Sequence, residues 1–291
     1  MKAIEAKGLT KFYGSARGII DVDLSVENGD FFGFIGPNGA GKSTFIRTLM
    51  GFISPTRGQA SVLGLDIVKN STEILSKVGY LPSEAAFYSG MRVKDALALS
   101  ASLRGMKLNK EAMALCERFA LDPSRKIHEL SLGNRKKTAI VAALQHNPEI
   151  YILDEPTSGL DPIMQKVFYE ILKERNIAGA TVFLSSHILS EVEKYCKNAA
   201  VIREGKIITS ASVDKLSHTG VKRVRILGFG GDIQISGIRD VKKDADTTSF
   251  LFSGDVGVLV HELSKHTFRD VTIEDSDLEE VFMHYYKKED E

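Results

Sequence analysis

A chain of 291 residues, 43% hydrophobic, can bury a substantial core in one large domain or two modest ones. Its 38 basic and 38 acidic side chains cancel, so no global field draws it to nucleic acid or to an anionic membrane, and such a partner must be engaged through a local surface. Cys116 and Cys196 stand far apart and form no C-x-x-C pair, which argues against a metal site or disulfide framework and fits reduced cytoplasmic thiols. The start Met-Lys-Ala-Ile-Glu-Ala-Lys has no apolar signal stretch, and no later apolar run approaches the roughly 20 residues that cross a bilayer, so the chain is expected to be soluble.

Strand-like runs alternate with helical ones, without internal repeats or low-complexity tracts, and predict an α/β fold. Phe31 to Ile35 (FFGFI) is a continuous apolar run, as expected of a strand buried on both faces. Directly after it comes Gly36-Pro37-Asn38-Gly39-Ala40-Gly41-Lys42-Ser43, then a helical run over 44–50 that opens on Thr44. Over 88–147 the strand signal fades and helical periodicity takes over at 93–103 and 111–121, which reads as a helical insertion. The run 150–153 (IYIL) is a second buried strand and delivers Asp154 and Glu155 at its end; 181–184 (TVFL) is a third and leads into Ser185-Ser186-His187. Beyond about 220 the runs become short and alternating, at 221–227 and 249–252, and end in a helical 277–288, which reads as a small extension with its own sheet. Gly228-Phe229-Gly230-Gly231 lacks a following Lys-Ser and reads as a turn.

The segment 36–43 satisfies G-x-x-x-x-G-K-[ST] between a strand and a helix, the context that separates a phosphate-binding loop from a chance glycine-rich turn. Its glycines let the backbone curl so that N–H groups face phosphate oxygens, and the following helix adds its positive end. Lys42 then reaches the β- and γ-phosphates, and the Ser43 hydroxyl is suited to ligate Mg²⁺. Asp154 can hold the Mg²⁺ shell, while Glu155 can orient and deprotonate an attacking water; alone, such a pair is more often a solvated strand end or helix cap, and the loop is what strengthens it. His187, expected at the same sheet edge, can hydrogen-bond a γ-phosphate oxygen or the water. The other six histidines show no metal-ligand spacing.

These elements occur with Leu130-Ser131-Leu132-Gly133-Asn134 upstream of the acidic strand and Ser158-Gly159-Leu160-Asp161 downstream of it. Over about residues 2–215 the ordered series resembles the nucleotide-binding subunit of an ATP-binding cassette (ABC) transporter; no guanine-reading Asn-Lys-x-Asp is present. The resemblance implies a P-loop NTPase core with a mixed sheet, an antiparallel β subdomain and the helical insertion within an ATP-binding domain spanning 1–218. A small α+β extension over 219–291 follows. It implies that Gly36, Pro37, Asn38, Gly39, Ala40, Gly41, Lys42, Ser43 and Thr44 bind ATP with Mg²⁺. It further implies that two such chains, as a homodimer or heterodimer, face each other head to tail, with Ser131 and Gly133 closing over the partner's nucleotide. Asp161 resembles the aspartate that communicates between the two sites. Tyr13 corresponds to the aromatic residue that stacks on adenine, although the strand pattern can place either Phe12 or Tyr13 inward.

The physical reading agrees in part: Ser131 and Gly133 begin a helix over 135–145, whose dipole favours an anion. Arg135, Lys136 and Lys137 crowd that start, either because triphosphate docks nearby or as a solvated basic face. Two departures stand out. Ser83, in Tyr80-Leu81-Pro82-Ser83-Glu84, replaces the family's Mg²⁺-contacting glutamine, leaving a shorter oxygen ligand. Leu132 and Asn134 replace the usual glycine and glutamine of the closing segment.

The run from Asp277 to Tyr286 resembles the tail of a bacterial subgroup serving drug, peptide and antibiotic exporters; an amphipathic helix covering the extension's sheet is a compatible reading. The resemblance thus implies ATP hydrolysis coupled to export, with separate transmembrane permease subunits contacted through 83–105, no nucleic acid, and a place at the cytoplasmic face of the cell membrane. Two alternatives stand beside it. A soluble ABC ATPase of translation or DNA maintenance would carry tandem cassettes or a coiled coil, neither of which is seen. A weakened-site partner in a heterodimer would fit Ser83 but not the intact Glu155.

Overall fold

The computed structural model describes residues 2–88, 90–217, 221–231 and 235–275, so the helix expected over 277–288 lies outside the described residues. The chain divides into two compact units, 1–211 and 212–291. The composition shift that suggested a boundary at 218/219 begins only with the alternating run at Val221, whereas the division precedes a short helix ahead of it.

In chain order the first unit contains β1 (Lys2–Tyr13), β2 (Ala16–Glu27), β3 (Phe31–Ile35), α1 (Lys42–Leu49), β4 (Arg57–Val62), β5 (Leu65–Asp66), α2 (Ser71–Lys77) and β6 (Val78–Leu81). Then come α3 (Val93–Ser102), α4 (Lys110–Arg118), a 3-10 turn at Ile127–Glu129, and α5 (Leu132–Leu144). The unit closes with β7 (Ile150–Asp154), α6 (Pro162–Ile177), β8 (Thr181–Ser186), α7 (Leu189–Tyr195), β9 (Asn198–Arg203) and all but the last residue of β10 (Lys206–Ser212).

The central sheet has the order β10-β9-β3-β8-β7-β6. Every residue of β3, β7 and β8 is buried, as continuous apolar runs covered on both faces require. The pairs β3–β8, β3–β9, β7–β8 and β6–β7 are parallel, and the turn at Glu204-Gly205 sends β9 back as β10, an antiparallel return that makes the sheet mixed. The register sets Ile35 beside Ser186 and Asp154 beside Ser185, so three strands end at one edge. A second, antiparallel sheet has the order β2-β1-β4-β5.

Helix α1 is locked onto the central sheet by Phe45, whose ring lies 5.0 Å from that of Phe34 and 6.1 Å from that of Phe183. All three rings are fully buried, and loss of a buried phenylalanine ring costs roughly 3–5 kcal/mol. This packing positions the loop from which α1 springs.

The region where the strand signal faded is helical, as α3, α4 and α5. Asn109 caps α4 by accepting from the N–H of Ala112, and Val93, Leu97, Leu115 and Cys116 turn inward. Arg118 makes two hydrogen bonds, of 2.6 and 2.8 Å, to Glu174 of α6, and Arg175 pairs with Glu111, so α4 meets α6 through two Arg–Glu pairs of opposite polarity. Both cysteines are buried free thiols, and burial pushes that of Cys116 up to about 11.

His146, between α5 and β7, sets Nε2 3.3 Å from the Val78 carbonyl, while Nδ1 is buried without a partner among the described residues. Burial, assisted by the charge of Arg104, holds its pKa down at about 4. An unfolded histidine titrates near 6.5, so this site favours the folded state fully above about pH 6.5 and loses that advantage as pH falls toward 4, by at most about 3 kcal/mol. Urea titrations at about pH 7 and pH 4.5 should therefore show a smaller acid loss of stability in His146→Gln than in the parent; equal losses would exclude His146 as the source.

The second unit comprises α8 (Val213–Ser217), β11 (Val221–Leu227), β12 (Ile238–Asp244), β13 (Thr247–Ser253), α9 (Val256–Leu263) and β14 (Asp270–Asp275). Its antiparallel sheet, β12-β13-β11-β14, buries alternate residues Val224, Ile226, Phe250 and Phe252 against Leu259 and Leu263 of α9. The glycine-rich 228–231 follows β11 as bends and irregular backbone.

Candidate active site

The loop 36–41 leaves β3 and enters α1 at Lys42, two residues earlier than the apolar pattern suggests, because Lys42 and Ser43 are themselves helical. Gly39 and Gly41 take φ of 81° and 109°, the left-handed region costly for any residue with a Cβ. At Gly41 a Cβ would also lie 2.8 Å from the Gly18 carbonyl oxygen, so both the turn and its contact with β2 demand glycine. The first turn of α1 contains no acidic residue, leaving its positive end to an anion.

Lys42 is only 5% exposed. Its Nζ donates to the carbonyls of Gly36 at 2.6 Å and Pro37 at 3.2 Å, and lies 3.1 Å from Glu155 Oε1. The other oxygen, Glu155 Oε2, is 2.7 Å from His187 Nδ1. One carboxylate at the end of β7 is thus held between the lysine of the loop and the histidine that follows β8. With Glu155 ionised, Nδ1 carries the proton of this bond, so the neutral ring offers Nε2 as an acceptor and the imidazolium offers it as a donor.

Asp154 is fully buried, and its Oδ1 accepts a 2.6 Å hydrogen bond from Ser185 Oγ. The same hydroxyl accepts from the backbone N–H of Glu155 at 3.1 Å. Ser185 therefore orients both carboxylate residues at once. Glu155 adopts φ of 47°, a conformation that costs a non-glycine residue about 1–2 kcal/mol and persists only where its surroundings impose it.

The three cations at the start of α5 do not share one environment. Arg135 is exposed, but Lys136 and Lys137 are buried, because the helix turns them toward the core. Lys136 Nζ donates to the carbonyls of Glu155 at 3.0 Å, Ser83 at 3.1 Å and Pro82 at 3.4 Å. Burial lowers its pKa to about 8, with Asp154 and Glu155 opposing the shift.

Ser131 caps α5, its Oγ accepting from the N–H of Asn134 at 3.3 Å, and Gly133 lies in the first turn. Between them Leu132 projects outward, 70% exposed. Asp161 caps α6 by accepting from the N–H of Met164 at 3.0 Å. Among the described residues, no hydrogen bond or ion pair joins Ser131 or Gly133 to residues 36–44 of the same chain. Lys42, Asp154, Glu155 and His187 are brought together, whereas the segment 130–134 makes no such bond to the loop 36–44 among the described residues.

Tyr13, 46% exposed, and Phe12, 37%, both remain partly open at the end of β1. A Cβ at Gly18 would lie 3.1 Å from Tyr13 Cε2 and 2.9 Å from Thr44 Cγ2, which sets the Tyr13 ring on the side of the phosphate-loop helix. Ser83 is half-buried after β6 and engages Lys136 through its main chain.

Two residues of this arrangement, Ser185 and Lys136, were assigned no such role from the sequence. The parallel register that pairs Ser185 with Asp154 would have exposed the first. Lys136 shares a buried stripe with Ala139, Ile140 and Ala143, the i, i+3, i+4, i+7 spacing of an inward helix face.

A family profile described as ABC transporter matches residues 19–158. The bacitracin transport ATP-binding protein BcrA of Bacillus licheniformis is 39% identical over 225 residues, covering 75% of this chain and 72% of that protein. The daunorubicin/doxorubicin resistance ATP-binding protein DrrA of Streptomyces peucetius is 29% identical, covering 94% and 82%. A solved structure described as the ATP-binding subunit of an ABC transporter superposes with a TM-score of 0.69 at 30% identity, covering 74% of this chain and 91% of that one.

Proposed function

From a chain that belongs to the ABC transporter family as an ATP-binding subunit, we infer that it hydrolyses ATP with Glu155 as general base and drives export through separate permease subunits. One observation carries the reading: the Glu155 carboxylate touches both Lys42 of the phosphate loop and His187. A base, a phosphate-binding cation and a proton-bearing ring converge where the γ-phosphate of a loop-bound ATP would lie.

Glu155 takes a proton from water as the oxygen forms its bond to the γ-phosphorus and the bond to the bridging oxygen of ADP breaks, releasing ADP and phosphate. Lys42 and the N–H groups of residues 39–44 bind the β- and γ-phosphates. His187 steadies the water as a neutral acceptor through Nε2, or donates to a phosphate oxygen when charged. Tyr13 offers its exposed ring to adenine.

Asp154 Oδ2 is buried with no hydrogen-bond partner among the described residues, while Oδ1 is taken by Ser185. With the Ser43 hydroxyl it makes an oxygen donor set suited to Mg²⁺, and Ser83 adds a shorter hydroxyl that can act through water. Bound there, the ion neutralises phosphate charge and fixes the orientation of the γ-phosphate.

That no bond joins Ser131 or Gly133 to the phosphate loop of the same chain, among the described residues, supports a site shared between two chains, with Ser131, Gly133 and Asp161 acting across the interface. The partner permease suits the apolar cavity of about 260 Å³ lined by Tyr80, Pro82, Phe87, Tyr88, Leu99 and Leu103, within and beside the 83–105 region. None of the helices among the described residues is long and apolar enough to cross a membrane, so attachment to the cytoplasmic face would come through that partner.

Mixing tests the shared site. Lys42→Ala and Ser131→Arg should each be nearly inactive alone, whereas a mixture forms heterodimers holding one intact site and recovers phosphate release above either parent. No recovery at any ratio, with mixed dimers shown by crosslinking, would mean that each chain hydrolyses ATP unaided.

A further inference from the structure

The helix that starts at Ser131 does more than present its N-terminus. Five residues on, roughly 7.5 Å along the axis at the usual helical rise, Lys136 turns back into its own subunit and is 5% exposed. Its three acceptors are main-chain carbonyls, two on the segment after β6 and one on Glu155. An ammonium group has three donors, so this geometry satisfies it without a carboxylate bonded to it. Burying a lysine in this way carries a desolvation cost that a methionine or leucine would not incur, and a packing role alone does not call for it.

The consequence falls on Glu155. Its N–H is held by Ser185 Oγ and its carbonyl by Lys136 Nζ, so a residue with φ of 47° is clamped through the two peptide units that flank its Cα. Releasing one clamp lets the backbone relax toward negative φ and swings the carboxylate away from Lys42 and His187. The phosphate loop is not part of this clamp, because Lys42 is held by the carbonyls of Gly36 and Pro37.

We propose that Lys136 is a positioning residue for hydrolysis, stapling the Glu155 main chain and the Ser83 turn to the helix that begins at Ser131. The proposal rests on Glu155 being the base. It gives the two-chain arrangement a physical link: the same rigid helix that meets the partner's nucleotide at its start holds this chain's base in its second turn.

Lys136→Met, in the full chain and matched to the parent in fold by circular dichroism, should lower kcat by roughly 10- to 100-fold, the usual effect of misplacing a catalytic group by about 1 Å. Its affinity for ATP, read by displacement of a fluorescent ATP analogue, should stay within about twofold, since the phosphate contacts are untouched. Lys136→Arg, which keeps charge and donors, should recover part of the lost kcat. If the methionine variant does not fold, Lys136→Gln carries the same comparison of kcat with affinity. Unchanged kcat, or a loss of ATP affinity as large as the loss of kcat, overturns the staple. Glu155→Gln separates the two ideas: an inactive Glu155→Gln beside a normal Lys136→Met removes the staple alone, whereas an active Glu155→Gln removes the base.

Discussion

Lys42→Ala is expected to reduce ATP turnover at least about 10²- to 10³-fold, the effect of deleting one donor aimed at developing phosphate charge in a site that excludes water. The loss has two sources. The ammonium that would meet the β- and γ-phosphates disappears, and so does the partner 3.1 Å from Glu155 Oε1. Lys42→Arg should not rescue, because the side chain is 5% exposed between the Gly36 and Pro37 carbonyls, and a planar guanidinium does not fit a space shaped for an ammonium. The fold should survive, since α1 is anchored by Phe45 and not by the lysine. Phosphate release by the purified variant, beside a thermal melt, checks this; near-normal turnover in a folded variant would remove the phosphate-loop assignment.

The strands that build this site were legible because burial on both faces leaves continuous apolar runs. FFGFI, IYIL and TVFL became β3, β7 and β8, and the residues directly after them form the site. The loop was legible for a different reason: its spacing is the one that wrapping a phosphate requires, so it stands out as a pattern of residue types. What could not be read was which polar groups face inward. Lys136 and Lys137 looked like surface charge because lysine usually is, and only the approach of the Ser83 and Glu155 carbonyls to α5, a tertiary event, gives Lys136 its acceptors. Ser185 was hidden for a similar reason, since its hydroxyl acquires meaning only when β7 and β8 align. The antiparallel sheet of β1, β2, β4 and β5 was reached through family resemblance, because β1 and β2 interrupt their alternation with register shifts between Ala6 and Leu9 and around Lys11.

Glu155→Gln should behave in the opposite way to Lys42→Ala with respect to assembly. The amide nearly matches the carboxylate in size but cannot accept the proton of the attacking water, and loss of a general base typically costs about 10²- to 10⁴-fold in rate. Binding should persist or tighten, because one negative charge is removed from beside a triphosphate while Lys42 remains. If ATP favours the closed pair of chains and hydrolysis ends that preference, blocking hydrolysis lets the closed state accumulate. Light scattering should then report twice the monomer mass for Glu155→Gln with Mg-ATP and the monomer mass without nucleotide. Leu132, 70% exposed beside Ser131, lies where a partner would cover it, so Leu132→Asp in the Glu155→Gln background should weaken the trapped pair by placing an anion near the triphosphate. A Glu155→Gln protein that stays monomeric at saturating Mg-ATP would detach the closing segment from catalysis and leave Ser131 as a helix cap alone.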